Sequence, residues 1–186
     1  MRAFIAIPAP EVIKDQAEQV RRLLAQTNPD VKWVEYDNYH LTLKFLGDID
    51  DRQLREVRDR LYQVAEYCPP FYLRVNGLGF FPNKRKPRVV WMGLNGDIEK
   101  AEFLAERIDA YVQDLGFEPE KIHRFHITLG RIRSERNVEE LLNKARLLEA
   151  TTRSNPFPVQ AFYLMESRLS REGPHYRIEQ AFALRG

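Results

Sequence analysis

One four-residue pattern occurs twice in this chain. His40-Leu41-Thr42-Leu43 returns 86 positions later as His126-Ile127-Thr128-Leu129. Each copy lies in an apolar run that reads as a β-strand. Residues i and i+2 of a strand share a face, so each copy presents an imidazole and a hydroxyl side by side. Two such strands facing each other would gather two histidines and two threonines into one pocket, a set able to move protons and hold an anion without a metal. The chain holds only four histidines and five threonines in 186 residues. Random placement then supplies a single His-x-Thr about a tenth of the time, and a pair far less often.

The segments around the motifs repeat an order. Ala3–Ile7 is a strand closed by Pro8, and Pro10 suits the first turn of a helix carrying Ile13, Ala17, Val20 and Leu24. Val31–Val34 is a short strand, His40–Leu46 the first motif strand, and Leu54, Val57, Leu61 and Val64 mark a second helix. Phe71–Phe81 and Arg88–Leu94 are strands around a basic loop. Ile98, Ala101, Leu104, Ile108, Val112 and Leu115 form the clearest helical stripe, with Gly116 at its C′ position. The second motif strand, His126–Ile132, follows. Asn137, with Glu140 three residues on, is expected to cap a fourth helix. Phe157–Met165 and His175–Leu184 are the last strands. Strand, helix, motif strand, helix, strand therefore runs once around each histidine. The expectation is an α+β fold in one bilobal domain over 1–186: a pseudo-twofold duplication, two curved, mostly antiparallel sheets flanked by helices, and a groove between the lobes.

Composition narrows the function. A net charge of +2 gives no bulk attraction to nucleic acid, so any such surface must be local. The single cysteine, Cys68, excludes an intramolecular disulfide and reads as a passive thiol at a helix exit. No apolar run approaches the roughly 18 residues of a membrane span. The apolar stretch at Met1–Pro8 is too short for a secretory signal, and a cytoplasmic monomer is expected.

Paired H-x-T motifs at this separation, without a metal-ligand set, resemble the 2H phosphoesterase superfamily. Within it the chain is most similar to the bacterial and archaeal RNA 2′,3′-cyclic phosphodiesterases, once described as 2′-5′ RNA ligases. The similarity runs nearly end to end. It includes Arg2–Ile7, His40–Gly47, Phe81-Pro82-Asn83, Pro87–Trp91, His126–Arg131, Ser167-Arg168-Leu169, Gly173 and Tyr176. One departure is Phe125, where the family usually has a proline that would stiffen the approach to the second histidine. The resemblance implies no cofactor. It also implies RNA ends or nucleotides carrying a 2′,3′-cyclic phosphate as partners, with His40 as proton donor and His126 as proton acceptor. Reversible 2′-5′ ligation is a further implied activity. Other 2H activities remain open, namely 2′-5′ oligonucleotide cleavage, ADP-ribose cyclic phosphate hydrolysis and RNA end trimming, as does a non-catalytic RNA- or nucleotide-binding module.

From the residues themselves, Thr42 and Thr128 offer hydroxyls to the non-bridging phosphate oxygens. Arg131 is a charged donor to the same group, although its odd separation from His126 would point it away from the pocket unless Gly130 marks a bulge. Lys44 shares parity with His40 and is expected to line the groove. Lys84, Arg85, Lys86 and Arg88 are the densest basic cluster and, with Phe80, Phe81 and Tyr72 nearby, suit a flexible RNA end. No metal site is expected, because no carboxylate stands at ligand spacing from either histidine.

Overall fold

The computed structural model describes all of residues 1–186. Its elements are β1 (Arg2–Pro8), α1 (Glu11–Ala25), β2 (Val31–Trp33), β3 (His40–Asp48), α2 (Asp51–Tyr67), β4 (Phe71–Phe81), β5 (Val89–Gly96), α3 (Ile98–Val112), β6 (His126–Ile132), α4 (Val138–Glu149), β7 (Phe157–Val159), β8 (Ala161–Ser170) and β9 (Gly173–Ala183). All strand pairings are antiparallel, and the order is β7-β4-β5-β6-β3-β1-β8-β9, with β2 also on β6. The fold is thus α+β, and its nine strands fall into two sets, four built on β3 and five, counting β2, built on β6.

The two sets join at a single register pair, Leu41↔Ile127. Beyond it β3 and β6 diverge, and β2 takes the rest of that edge of β6, pairing Val31–Trp33 with Gly130–Ile132. The expected two sheets are therefore one curved sheet with a seam. The pair at the seam is formed by the middle residues of the two H-x-T motifs.

The sheet buries residues on both faces. Along β1, Ala3, Ile5 and Ile7 enter the main core beneath the helices, whereas Phe4 and Ala6 pack with Met165 on the opposite face. The helical stripes settle as the spacing predicts: Ile13, Ala17, Val20 and Leu24 of α1 are buried, as are Val57, Leu61 and Val64 of α2. Asp50 starts α2 with a full capping box against Gln53, worth about 1 kcal/mol.

Two expectations are corrected. Asn137 does not cap α4 through its side chain. It sits in the left-handed region at φ 54°, and its amide donates to the carbonyls of Thr27 and Asn28, tying α4 to the end of α1. The run Phe157–Met165 is not one strand. It breaks at Gln160, so that β7 pairs with β4 in one half and β8 pairs with β1 in the other. The main core is nevertheless continuous across both halves. No helix is long and apolar enough to cross a membrane.

Candidate active site

The seam aligns the motif side chains. Leu41 and Ile127 are buried, so the residues flanking each of them face the other way, onto the concave surface. Antiparallel pairing about that point brings His40 toward Thr128 and Thr42 toward His126. All four line one groove of about 800 Å³.

Both imidazoles are oriented by the same device. His40 Nδ1 lies 2.7 Å from the carbonyl of Asn38, and His126 Nδ1 lies 3.0 Å from the carbonyl of Arg124. A carbonyl only accepts, so each Nδ1 carries the proton and each Nε2 is left for chemistry. The copies differ at that second nitrogen. His40 Nε2 is 2.7 Å from the Thr42 hydroxyl, whereas Thr128 makes no such bond to His126.

Aromatic rings wall in each histidine. Phe4 and Tyr176 each lie 5.2 Å from His40, ring centre to ring centre, and Phe81 stands edge-on to His126 at 4.9 Å. Burial pushes the His40 pKa below the ordinary histidine value. The Asn38 hydrogen bond opposes this, and positive charge on His126 adds to it. Burial also lowers the His126 pKa, with the nearby charges of Arg124 and Arg131 reinforcing the shift against the Arg124 carbonyl bond. Burial raises the Tyr176 hydroxyl, while Arg131 and Arg2 pull it the other way.

A shared bulge decides which later residues reach the groove. In β3, Lys44 pairs with Ile5 and Thr42 with Ala6, so Leu43 is an extra residue. In β6, Gly130 pairs with Val90 and Thr128 with Trp91, so Leu129 is the extra one. Each bulge lies three residues after its histidine and inverts the alternation beyond it. Arg131, expected to point away on simple parity, therefore lines the groove. Lys44 also contributes to the groove's lining, as expected, but its ammonium is turned inward. Its parity with His40 is cancelled, and it is only 3% exposed, with its Nζ 2.6 Å from both Asp109 Oδ1 and the Glu118 carbonyl. Its charge is committed to the fold, which corrects its expected role in meeting RNA. Gly130, the matching residue of β6, has no room for a side chain: a Cβ there would stand 2.5 Å from Val31 Cγ1.

Lys84, Arg85, Lys86 and Arg88 are all exposed, and none of them lines the groove, although Phe81 and Val89 on either side of their loop do. Cys68 is buried, with its thiol pushed up to about 11. His175 is exposed on β9, and His123 Nε2 lies 2.9 Å from Asp109 Oδ2. No group of three or more His, Cys, Asp or Glu side chains is arranged to hold a metal ion.

Simple parity overlooks Phe45, 67% exposed at the groove, and composition overlooks Arg124, whose guanidinium lies over Phe81 at 5.1 Å. Asp109 is also overlooked. Its signal was present: a carboxylate in register with Leu104, Ala105, Ile108 and Val112 on a buried helical stripe needs a buried partner.

The chain is similar to known proteins along its length. The family model for LigT-like phosphoesterases matches residues 7–91 and 94–176, and each stretch encloses one H-x-T motif. The chain belongs to the LigT-like phosphoesterase family, within the 2H superfamily. An RNA 2′,3′-cyclic phosphodiesterase of Methanothermobacter thermautotrophicus is 32% identical over 99% of both chains. One from Aquifex aeolicus is 33% identical over 100% of this chain and 98% of its own. Among solved structures, the fold matches E. coli LigT complexed with 3′-AMP at a TM-score of 0.77, 25% identity and coverage of 98% and 97%.

Proposed function

We propose that this phosphoesterase opens 2′,3′-cyclic phosphates at RNA ends by metal-independent acid–base catalysis, leaving a 2′-phosphomonoester. The observation that carries the reading is the Leu41↔Ile127 seam, which turns both histidines and both threonines to one groove. Water attacks phosphorus in line with O3′. His126 Nε2 takes the water proton, the P–O3′ bond breaks, and His40 Nε2–H protonates the departing O3′. Proton exchange with solvent resets both rings.

The direction of the assignment draws support from charge. Burial favours the neutral form of both rings; at His126 the charges of Arg124 and Arg131 add to it, which suits a base, whereas at His40 the added charge is that of His126. Thr42 and Thr128 donate to the non-bridging oxygens, and Arg131 adds a charged donor. A phosphate oxygen accepting the Thr42 hydroxyl would also free His40 Nε2. Phe45 and Tyr176 offer faces for a base, and the exposed Lys84, Arg85, Lys86 and Arg88 extend a cationic path for longer RNA. The same machinery accepts a 5′-hydroxyl in place of water, which would join two RNAs through a 2′-5′ linkage.

Phosphorus NMR of a cyclic-phosphate oligonucleotide in EDTA tests the proposal. A 2′-phosphate product is expected. An unopened ring would reject the activity, and a 3′-phosphate would reject the assignment of O3′ as leaving group. A second arm with a 5′-hydroxyl RNA reads joining directly.

A further inference from the structure

The two motif histidines are approached by different kinds of chain. Asn38, whose carbonyl orients His40, closes a 3-10 turn, Tyr36–Asn38, and its buried side chain donates to the Pro174 carbonyl at 2.7 Å. Arg124, whose carbonyl orients His126, belongs to residues 116–125, a stretch with no helix or strand. Something else must hold that stretch still.

We propose that Lys44, Asp109 and His123 form a clamp, buried at Lys44 and Asp109 and reaching the groove at His123, that positions His126 against His40, and that Asp109 and His123 are positioning residues of the reaction proposed above. Asp109, on α3, is 4% exposed; it accepts from Lys44 Nζ at 2.6 Å and from the Glu120 backbone N–H at 3.1 Å, and His123 Nε2 stands 2.9 Å from its Oδ2. Lys44 spans from the first motif strand to this carboxylate and also donates to the Glu118 carbonyl at 2.6 Å. Three anchors of the irregular stretch, at residues 118, 120 and 123, therefore end on two side chains, one of which stands four residues after His40. Beyond His123 the only further backbone tie before His126 is Leu94 N–H to the Phe125 carbonyl at 3.2 Å.

The clamp has no counterpart on the other side. Gly130 holds the position in β6 that Lys44 holds in β3, and it packs directly on β2. A buried charge network costs desolvation that apolar residues would avoid, so packing alone gives little reason for it here. Its geometry links the two strands whose histidines must flank one phosphorus, where a misplacement of about 1 Å can cost 100-fold in rate.

The test uses His123, which lies in the irregular stretch and whose loss leaves no strand unpaired. His123→Gln retains a donor near the Nε2 position, and His123→Leu does not. On a 2′,3′-cyclic nucleotide, H123L is expected to lose about 10- to 100-fold in kcat with KM changed less than about threefold, and H123Q to recover most of the loss. Nitrogen-15 NMR supplies a readout independent of turnover. His126 should be a single Nδ1–H tautomer in the wild type and H123Q, and a mixture in H123L, with His40 unchanged in all three.

A companion variant, Lys44→Met with Asp109→Leu, removes both charges. It should keep a melting temperature near that of the wild type yet turn over as slowly as H123L. The clamp is overturned if H123L keeps the wild-type tautomer and kcat, or if the double variant turns over normally. Failure of the wild type itself to open the ring would instead overturn the proposed activity, and the tautomer comparison would still judge the clamp.

Discussion

The two halves of the molecule share a scaffold and differ in what they hang on it. Both present His-x-Thr on a strand bordering the seam, both fix Nδ1 on the carbonyl two residues earlier, and both carry a bulge three residues after the histidine. Past the bulge they part: β3 buries a lysine and exposes Phe45, whereas β6 buries a glycine and sends Arg131 to the groove. The repeated motif supplies symmetric imidazoles, the proton-transfer groups of the proposed reaction. The asymmetry a substrate needs, a charged side and an aromatic side, is written where the bulge decides which face a residue takes.

The sharpest way to break this comparison is to remove either imidazole. His40→Ala and His126→Ala should each lower turnover of a cyclic-phosphate end by ~10²–10⁴, the scale of losing a general acid or base. Comparable losses would mean that the halves act as a pair. Full activity in either variant would reduce that half to scaffold.

How much of this was legible beforehand follows from where regularity held. The helical stripes of α1, α2 and α3 and the first half of the strand Phe71–Phe81, up to Asn76, obey simple periods, and the sequence reads them correctly. The motif side chains lie within the first three residues of each strand, ahead of the bulge, so alternation places them on one face. The inward turn of Lys44 and the groove-facing turn of Arg131 escape simple parity for one reason: an inserted residue inverts parity and leaves almost no mark. Gly130 hinted at the bulge in β6, but nothing comparable flags Leu43 in β3. Asn137 has the composition of a cap, yet the neighbouring Thr27 and Asn28 carbonyls claim its amide. That competition is tertiary and cannot be read locally.

Position five after each histidine sharpens the comparison further. Arg131→Ala removes a charged donor worth about 1.5–3 kcal/mol to the reacting phosphate, so kcat should fall about 10- to 150-fold even on a cyclic mononucleotide. Phe45→Ala removes a stacking face worth about 1–3 kcal/mol per base, and its loss should appear mainly in KM. If the two variants failed in the same kinetic parameter, the division into a charged side and an aromatic side would be wrong.

A weaker effect belongs to the loop beyond the second half. Replacing Lys84, Arg85 and Lys86 together with Gln should reduce the salt dependence of binding to a long single strand, by about 0.7 in the log–log slope for each phosphate no longer neutralised. Binding of a mononucleotide should be unaffected. Equal weakening for the two ligands would take this loop off the RNA path.

The smallest expected effect is on stability, and it sets the halves against each other through pH. Both histidines have folded-state pKa values below the ordinary value, chiefly because burial disfavours the charged ring. Below about 6.5 the unfolded chain therefore binds protons that the folded chain resists. The stabilising contribution is whole above that value and drains away as pH falls toward the folded pKa values. The bond that anchors His40 is part-buried, whereas that of His126 is exposed to solvent. A non-titrating His40→Asn variant should thus flatten the fall in melting temperature between pH 7 and pH 5 more than His126→Asn does. Equal flattening would mean that solvent reaches both rings alike, and the two sites would differ only in the residues beyond the bulge.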